Sequence, residues 1–218
     1  MPRKKRVWYP GAIYHVMNRG NGRHIIFKEE SDYCDFLECL AKTKEKYPFK
    51  VHALCLMTNH FHIVIETAEV EIWKIMRYLQ LIYAANYNIK YKLTGHLFGN
   101  RYVGKLIITD RYFLEVSRYI HLNPVKAMLV SDPAEYKYSS YGVYVTGGAE
   151  GSHGKIGELI AEVVDTSRIY GYYGSIHDDP HIDPQEQYRR FVEDKLSHEE
   201  QEKLIMNDMG ENEMWLPE

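Results

Sequence analysis

Met57-Thr58-Asn59-His60-Phe61-His62-Ile63-Val64-Ile65-Glu66 is the stretch on which the fold turns. Val51–Met57 and Phe61–Glu66 are apolar, β-branched runs without Gly or Pro, so both read as strands. Thr58 and Asn59 supply a turn or a kink between them. Side chains alternate along a strand, so His60, His62, Val64 and Glu66 share one face, and Phe61, Ile63 and Ile65 form the core-facing other. Two imidazoles at i and i+2 stand about 7 Å apart where the chain rises about 3.3 Å per residue. That spacing lets both converge on one divalent metal, with Glu66 in the same row as a third or outer ligand. Taken alone, the stretch is equally well a half-buried sheet edge that carries two histidines.

Working outward, Ala12–Met17 is strand-like and is broken by the turn residues Asn18-Arg19-Gly20-Asn21-Gly22-Arg23. Two arginines among glycines bring guanidinium groups and backbone amides together, a cradle suited to phosphate. Ser31 or Asp32 caps a helix to about Tyr47, with Tyr33, Phe36, Leu37 and Leu40 inward and Pro48 at its end. A long helix follows from about Val70 to Lys92, its buried stripe Ile72, Ile75, Met76, Leu79, Ile82 and Tyr83. Gly95–Tyr102 is an irregular basic and aromatic loop, and Val103–Thr109 a strand. Asp110, or Thr109 before it, caps a third helix with Tyr112, Val116, Tyr119 and Asn123 in one stripe. Pro124 predicts that this helix ends near Asn123. Strand, helix, strand, strand, helix, strand, helix is the order of an α+β, ferredoxin-like split βαβ sheet. Its antiparallel sheet is expected to carry helices mainly on one face, leaving the other for a metal and a nucleic-acid strand.

The net charge of −3 conceals a division: residues 1–130 hold 20 Lys and Arg against 11 Asp and Glu, residues 131–218 hold 7 against 19. A basic body with an acidic extension points to a polyanion-binding core. Residues 1–146 read as the body, and 147–218 as an acidic linker (Gly147–Gly154) and a small helical extension. Its expected helices carry Leu159, Ile160, Val163 and Val164, then Tyr188, Phe191, Val192 and Leu196 behind Asp183-Pro184, then a short one capped at Ser197. The charge contrast predicts that this extension docks over the basic face at low salt and competes with nucleic acid, the alternative being that it packs on the far side and only stabilises the fold. Arg3-Lys4-Lys5-Arg6 reads as a basic arm for phosphate contacts. No apolar run approaches the roughly 18 residues of a membrane span. No apolar signal segment follows the basic start, and Cys34, Cys39 and Cys55 fit reduced, buried thiols, so a cytoplasmic protein is expected.

His60-Phe61-His62 after Met57-Thr58-Asn59, the Gly95–Tyr102 loop, and Arg118-Tyr119-Ile120-His121-Leu122-Asn123-Pro124-Val125-Lys126-Ala127 resemble the single-tyrosine HUH transposases. Within them the chain is most similar to the REP-associated tyrosine transposases of bacteria, from about Tyr14 to Tyr141. The resemblance implies a nucleoid-associated enzyme that binds a DNA hairpin with flanking single strand and cleaves one strand. It implies Tyr119 as nucleophile, His60 and His62 as ligands of Mg²⁺ or Mn²⁺, and Asn123 as third ligand in competition with Glu66. Relatives often carry Gln where Asn123 stands. Arg19, Arg23, Arg101, Lys105 and Arg118 are candidates for DNA phosphate, and His24, Tyr102 and Phe98 for stacking on bases. Two other readings are a hairpin-binding protein that does not cleave, and a metal-dependent nuclease with water as nucleophile. The resemblance is compatible with a monomer or a homodimer.

Overall fold

The computed structural model describes residues 7–148, 153–175 and 182–194. Its elements are β1 (Ile13–Arg19), α1 (Glu30–Lys46), β2 (Phe49–Met57), β3 (His60–Thr67), α2 (Ile72–Tyr91), β4 (Val103–Ile107) and α3 (Asp110–Lys126), then α4 (Tyr141–Thr146), α5 (Gly154–Val163), α6 (Ser167–Ser175) and α7 (Pro184–Glu193). The four strands form one antiparallel sheet in the order β2-β3-β1-β4. This is the α+β split βαβ arrangement that the element order predicts, with β3 in the interior. The basic arm at residues 3–6 and the short helix expected from Ser197 lie outside the described residues, as do residues 149–152 of the Gly147–Gly154 linker.

The alternation of the strands sorts the core into two layers. Tyr14 and Val16 of β1 and Phe61, Ile63 and Ile65 of β3 face α1 and α2, where Phe36, Leu40, Met76, Leu79 and Tyr83 meet them. Ile13, Ala53, Cys55, Met57 and Val64 face the other way, onto Tyr112, Phe113, Val116 and Ile120 of α3. The helices inserted between strands therefore share one face, as expected, while α3 and the later α4, α6 and α7 cover the opposite one. His60 and His62 sit on the α3 side because they occupy the even positions of β3.

Two helix ends differ from the sequence reading. α1 begins two residues early at a cap formed by Glu29, with Asp32 bonding back to the Glu29 amide at 3.1 Å. Asp32 also accepts from Lys90 Nζ at 2.7 Å and the Tyr91 hydroxyl at 2.8 Å, so its buried carboxylate is needed inside the first turn. α3 runs through Pro124 to Lys126. Pro124 removes one N–H, but it sits in the last turn, where little helix remains to be disrupted. Thr109 caps α3 as expected, its hydroxyl accepting from the Tyr112 amide at 3.2 Å.

The segment beyond residue 130 closes the outer edge of β2. The Leu56 amide donates to Tyr138 O at 2.9 Å, the Ser140 amide to Leu54 O at 2.9 Å, and the Asp165 amide to Val51 O at 2.7 Å. An edge covered in this way offers no free ladder to another strand. α5 lays Ile156, Ile160 and Val163 into the layer of α1. α6, which carries two glycines, is not among the helices expected from the sequence. It forms because Ile169 is wholly buried and the Tyr170 hydroxyl donates to Tyr144 O at 2.8 Å.

α7 docks on α3 through a buried polar relay. The Leu54 amide donates to Ser140 Oγ (2.9 Å), and Ser140 Oγ to His121 Nε2 (2.7 Å). His121 Nδ1 donates to the Tyr188 oxygen (2.8 Å), the Tyr188 hydroxyl to Ser117 Oγ (3.0 Å), and Ser117 Oγ to Leu114 O (2.7 Å). With this proton assignment every member is satisfied, which is what makes a polar chain tolerable in a core. Ser117 and His121 lie about 200° around the helix from Tyr119 at about 100° per residue. The described part of the acidic extension therefore braces the back of α3 and the side of α1. It does not lie over Tyr119, contrary to the expectation from charge.

Candidate functional site

Register assembles what the sequence leaves apart. On the α3 side of the sheet, Arg19 lies directly opposite His60, Met17 opposite His62, and His15 opposite Val64. Lys105 of β4 lies opposite His15 on its other side. The His60 and His62 rings stand 5.2 Å apart, nearly perpendicular. His15 meets His62 edge to edge, ring centres 5.2 Å apart and its Nε2 2.9 Å from His62 Nδ1. α3 then places the edge or face of Tyr119 5.6 Å from His62 and 6.1 Å from His15. Lys126 Nζ sits 4.9 Å from the centre of the Tyr119 ring. Arg19 is close enough to Tyr119 for the two to interact electrostatically.

The histidines are held neutral. Burial pushes His60 down to about 4, helped by the positive charge of Arg19. His62 is driven well below the usual imidazole value by burial, then by His15, His60 and Arg19. His15 is pushed down to about 4 by burial and by Lys105. A neutral imidazole keeps one nitrogen lone pair, the form that binds a metal. His60 Nδ1 lies 2.6 Å from Asn59 Oδ1, to which it donates, so its lone pair is on Nε2. The Asn59 amide group in turn donates to Arg23 O at 3.3 Å, and the Asn59 carbonyl accepts from the Gly20 amide at 2.9 Å. The Thr58–Asn59 turn thus locks His60 to the Arg19–Arg23 loop.

Asn123 is buried one turn beyond Tyr119, and its amide nitrogen donates to Tyr119 O at 3.0 Å. Its Oδ1 is what remains for a cation. Glu66 does not join the site. It lies at the far end of β3, 2.8 Å from His52 Nε2 and 3.6 Å from Arg168. Four residues of strand separate it from His62 by about 13 Å. Among the described residues no three His, Cys, Asp or Glu side chains form a metal-holding group. His60 and His62, and the Asn123 amide oxygen on α3, are the groups that could hold a divalent ion, with water or phosphate to complete them.

Beside the site a cleft of about 720 Å³ opens between residues 17–23 and 96–103, with Arg19, Arg23, Arg101 and Tyr102 on its walls. Gly20 permits it, since a Cβ there would come 2.1 Å from His24 O. His24 is exposed and is not on the cleft wall. Tyr102 is largely buried in the core, so it shows the cleft only part of its ring. Lys105 borders the site, its Nζ 4.7 Å from the Tyr112 ring centre. Arg118 is the misplaced candidate. It is 2 % exposed, paired with Glu115 at 3.5 Å, and its guanidinium stacks 4.0 Å from the Phe191 ring of α7. Its position next to Tyr119 turns it away from that residue by about 100°, beneath the extension. The sequence reading also passed over His15 and Lys126. The alternation Tyr14-His15-Val16 placed His15 on some face of β1, but only the pairing with β3 shows which.

The four-stranded antiparallel sheet thus carries a histidine pair that faces a tyrosine of α3, and comparison with known proteins gives the family. The profile of the family described as "Transposase IS200 like" matches residues 9–123, a little over half of the chain. The chain belongs to the IS200-like transposase family. A solved REP-associated tyrosine transposase bound to a REP hairpin is similar in fold, with a TM-score of 0.59 and 17% identity over 76% of this chain and 93% of that one. A candidate transposase from Deinococcus radiodurans aligns with a TM-score of 0.40 and 17% identity over 55% and 95% of the two chains. No curated protein matches in sequence. Among the described residues, no helix is long and apolar enough to cross a membrane.

The buried histidines make stability depend on acid. Burial holds His121 down to about 3, beside the values near 4 for His15 and His60. In the unfolded chain these groups titrate at about 6.5. Stability is therefore full above that pH. It falls as the pH drops towards about 4, by up to about 1.4 kcal/mol per pH unit per histidine, because only the unfolded chain takes up protons. Denaturant midpoints measured from pH 7.5 to 4.5 should show this slope, and His121→Gln should reduce it by one histidine's share. A midpoint independent of pH in the native chain would contradict the assignment.

Proposed function

We propose that this chain cleaves and rejoins single-stranded DNA next to a hairpin, with Tyr119 as nucleophile. The observation that carries the reading is the placing of the Tyr119 ring against the His60–His62 pair, with Arg19 and Lys126 beside it. An unperturbed phenol has a pKa of about 10 and attacks poorly at neutral pH. Arg19 and Lys126 supply positive charge where the phenolate and the approaching phosphate both need it. Tyr119 Oη attacks the scissile phosphorus in line, and the bond to the 3′-oxygen breaks. The products are a 5′-phosphotyrosine and a free 3′-hydroxyl. The phosphodiester energy stays in the tyrosine link, so reversal joins strands without ATP. Held by His60, His62 and Asn123 Oδ1, a Mg²⁺ or Mn²⁺ ion would polarise the phosphate as a Lewis acid. Hairpin recognition is carried over from the solved transposase–hairpin complex, whose fold this chain shares.

The cleft beside Tyr119 is the path proposed for the flanking strand, and its arginines make a graded prediction. Arg23→Ala and Arg101→Ala should each weaken hairpin binding for every sequence and lower the salt slope by about 1. Arg118→Ala should leave that slope unchanged and lower the melting temperature, since Arg118 lies under Phe191. Binding isotherms at several salt concentrations separate the two behaviours.

The test of the function is incubation with Mn²⁺ and a labelled hairpin carrying single-stranded flanks, followed by a denaturing gel. A protein–DNA band that resists denaturation supports the tyrosine mechanism. Cleaved DNA without such a band points to water as nucleophile, and binding without cleavage to a recognition protein. The double variant His60→Ala, His62→Ala should lose Mn²⁺-dependent cleavage and keep most hairpin affinity, which phosphate contacts dominate.

A further inference from the structure

The two histidines proposed as ligands are each approached at Nδ1 by a polar partner, Asn59 Oδ1 for His60 and His15 Nε2 for His62, and His15 has no role in the reading above. We propose that His15 is a positioning residue: it accepts the Nδ1 proton of His62 and thereby turns the lone pair of His62 Nε2 into the site. This rests on the metal-dependent reading of His60 and His62.

The geometry is specific. His15 Nε2 and His62 Nδ1 are 2.9 Å apart, and both side chains are buried, 7% and 3% exposed. Their ring planes lie within 26° of each other and their centres 5.2 Å apart, the separation of two imidazoles joined edge to edge through these nitrogens. Two neutral imidazoles in this contact share one proton, so one nitrogen donates and the other accepts. If His15 donated, His62 would carry its own proton on Nε2 and offer the site an N–H in place of a lone pair. If His62 donates, its Nε2 is free, and His15 holds its proton on Nδ1.

Two observations choose the second arrangement. His60 is built the same way, its Nδ1 donating to Asn59 Oδ1 at 2.6 Å, so both histidines present Nε2 only if His15 is the counterpart of Asn59. Arg19 lies directly opposite His60 in the sheet, and a positive charge there favours lone pairs over N–H groups on the ring nitrogens that face it. An acceptor behind a ligating imidazole fixes the tautomer and ring angle, and its removal typically costs about 10–100-fold in metal affinity. His15 is well placed for this because β1 is the central partner of β3, and the contact is carried by the sheet rather than a loop.

The test begins with the native full chain, free of metal and DNA. Long-range ¹H–¹⁵N spectra of its histidines should show His62 protonated on Nδ1 and His15 on Nδ1. Protonation of His62 on Nε2 would overturn the proposal, whatever the metal result. Calorimetric titration with Mn²⁺, again without DNA, should then show about 10–100-fold weaker binding in His15→Leu. His15→Gln, which keeps an acceptor oxygen, should bind within about threefold of the native chain. Equal affinity in His15→Leu and the native chain would overturn the positioning role. An equal loss in both variants would also overturn it, in favour of His15 as a direct ligand. If the native chain binds no Mn²⁺ at all, the metal reading fails by itself, and the tautomer of His62 still decides the His15–His62 contact.

Discussion

Tyr119→Phe is expected to abolish the covalent protein–DNA adduct and to leave hairpin affinity nearly unchanged. The substitution removes one oxygen and keeps the ring. The edge contacts with His62 and His15 at 5.6 and 6.1 Å and the Lys126 contact at 4.9 Å belong to that ring and survive. What is lost is the atom proposed to form the bond to phosphorus, and no other step can replace it. Loss of a covalent nucleophile costs on the order of 10⁴-fold or more in rate. On a denaturing gel the adduct band should vanish, while gel-shift affinity stays within about twofold. Tyr112 is the alternative to exclude first, since it lies two turns earlier in the same stripe. It is buried against the sheet with Lys105 over its ring, a core position from which a phosphate is hard to reach. A persistent adduct in Tyr119→Phe would transfer the role and remove the basis of the proposed mechanism.

Truncation after Thr146 is expected to prevent folding, not to release activity. Charge alone argued for release, with the acidic extension competing against DNA. The packing argues otherwise. Ile156, Ile160 and Val163 of α5 fill the layer of α1, and Ile169, Tyr188 and Val192 fill the layer of α3 and α4. Tyr188 is wholly buried, and burial raises its phenol well above the usual value. Deleting one large aromatic from a core costs about 3–5 kcal/mol, and each aliphatic about 1.5–3 kcal/mol. For the one aromatic and five aliphatics named, the sum is about 10–20 kcal/mol, as large as the roughly 5–15 kcal/mol by which a domain is stable. The truncation would also strip His121 Nδ1 of its partner and uncover the apolar back of α3. Soluble yield and a thermal melt check the expectation, and a truncated chain melting within a few degrees of the full one would refute it. Tyr188→Phe is the milder probe: it keeps the ring, loses the hydroxyl held by His121 and Ser117, and should cost about 1–3 kcal/mol.

Local periodicity was legible from the sequence by itself. Alternation along β3 put His60 and His62 on one face, and the helical repeat put Tyr119 and Asn123 one turn apart on α3. Element order then implied the split βαβ sheet. These follow from the pleat and the helical turn, which depend on neighbours a few residues away. The tertiary structure decided everything that depends on which strand lies beside which. Alternation allowed Glu66 into the row of histidines, but the row is about 13 Å long between His62 and Glu66, and His52 and Arg168 hold its far end. Pairing of β1 with β3 brought His15 and Arg19 to the pair, at sequence separations of 47 for His15–His62 and 41 for Arg19–His60. The burial of Arg118 required α7, some 70 residues on, whose phenylalanine offers its guanidinium a ring in place of a phosphate. Register and packing face are settled by the burial of apolar surface between distant segments. A side chain's row can thus be read from its neighbours, whereas its partners come only with the fold.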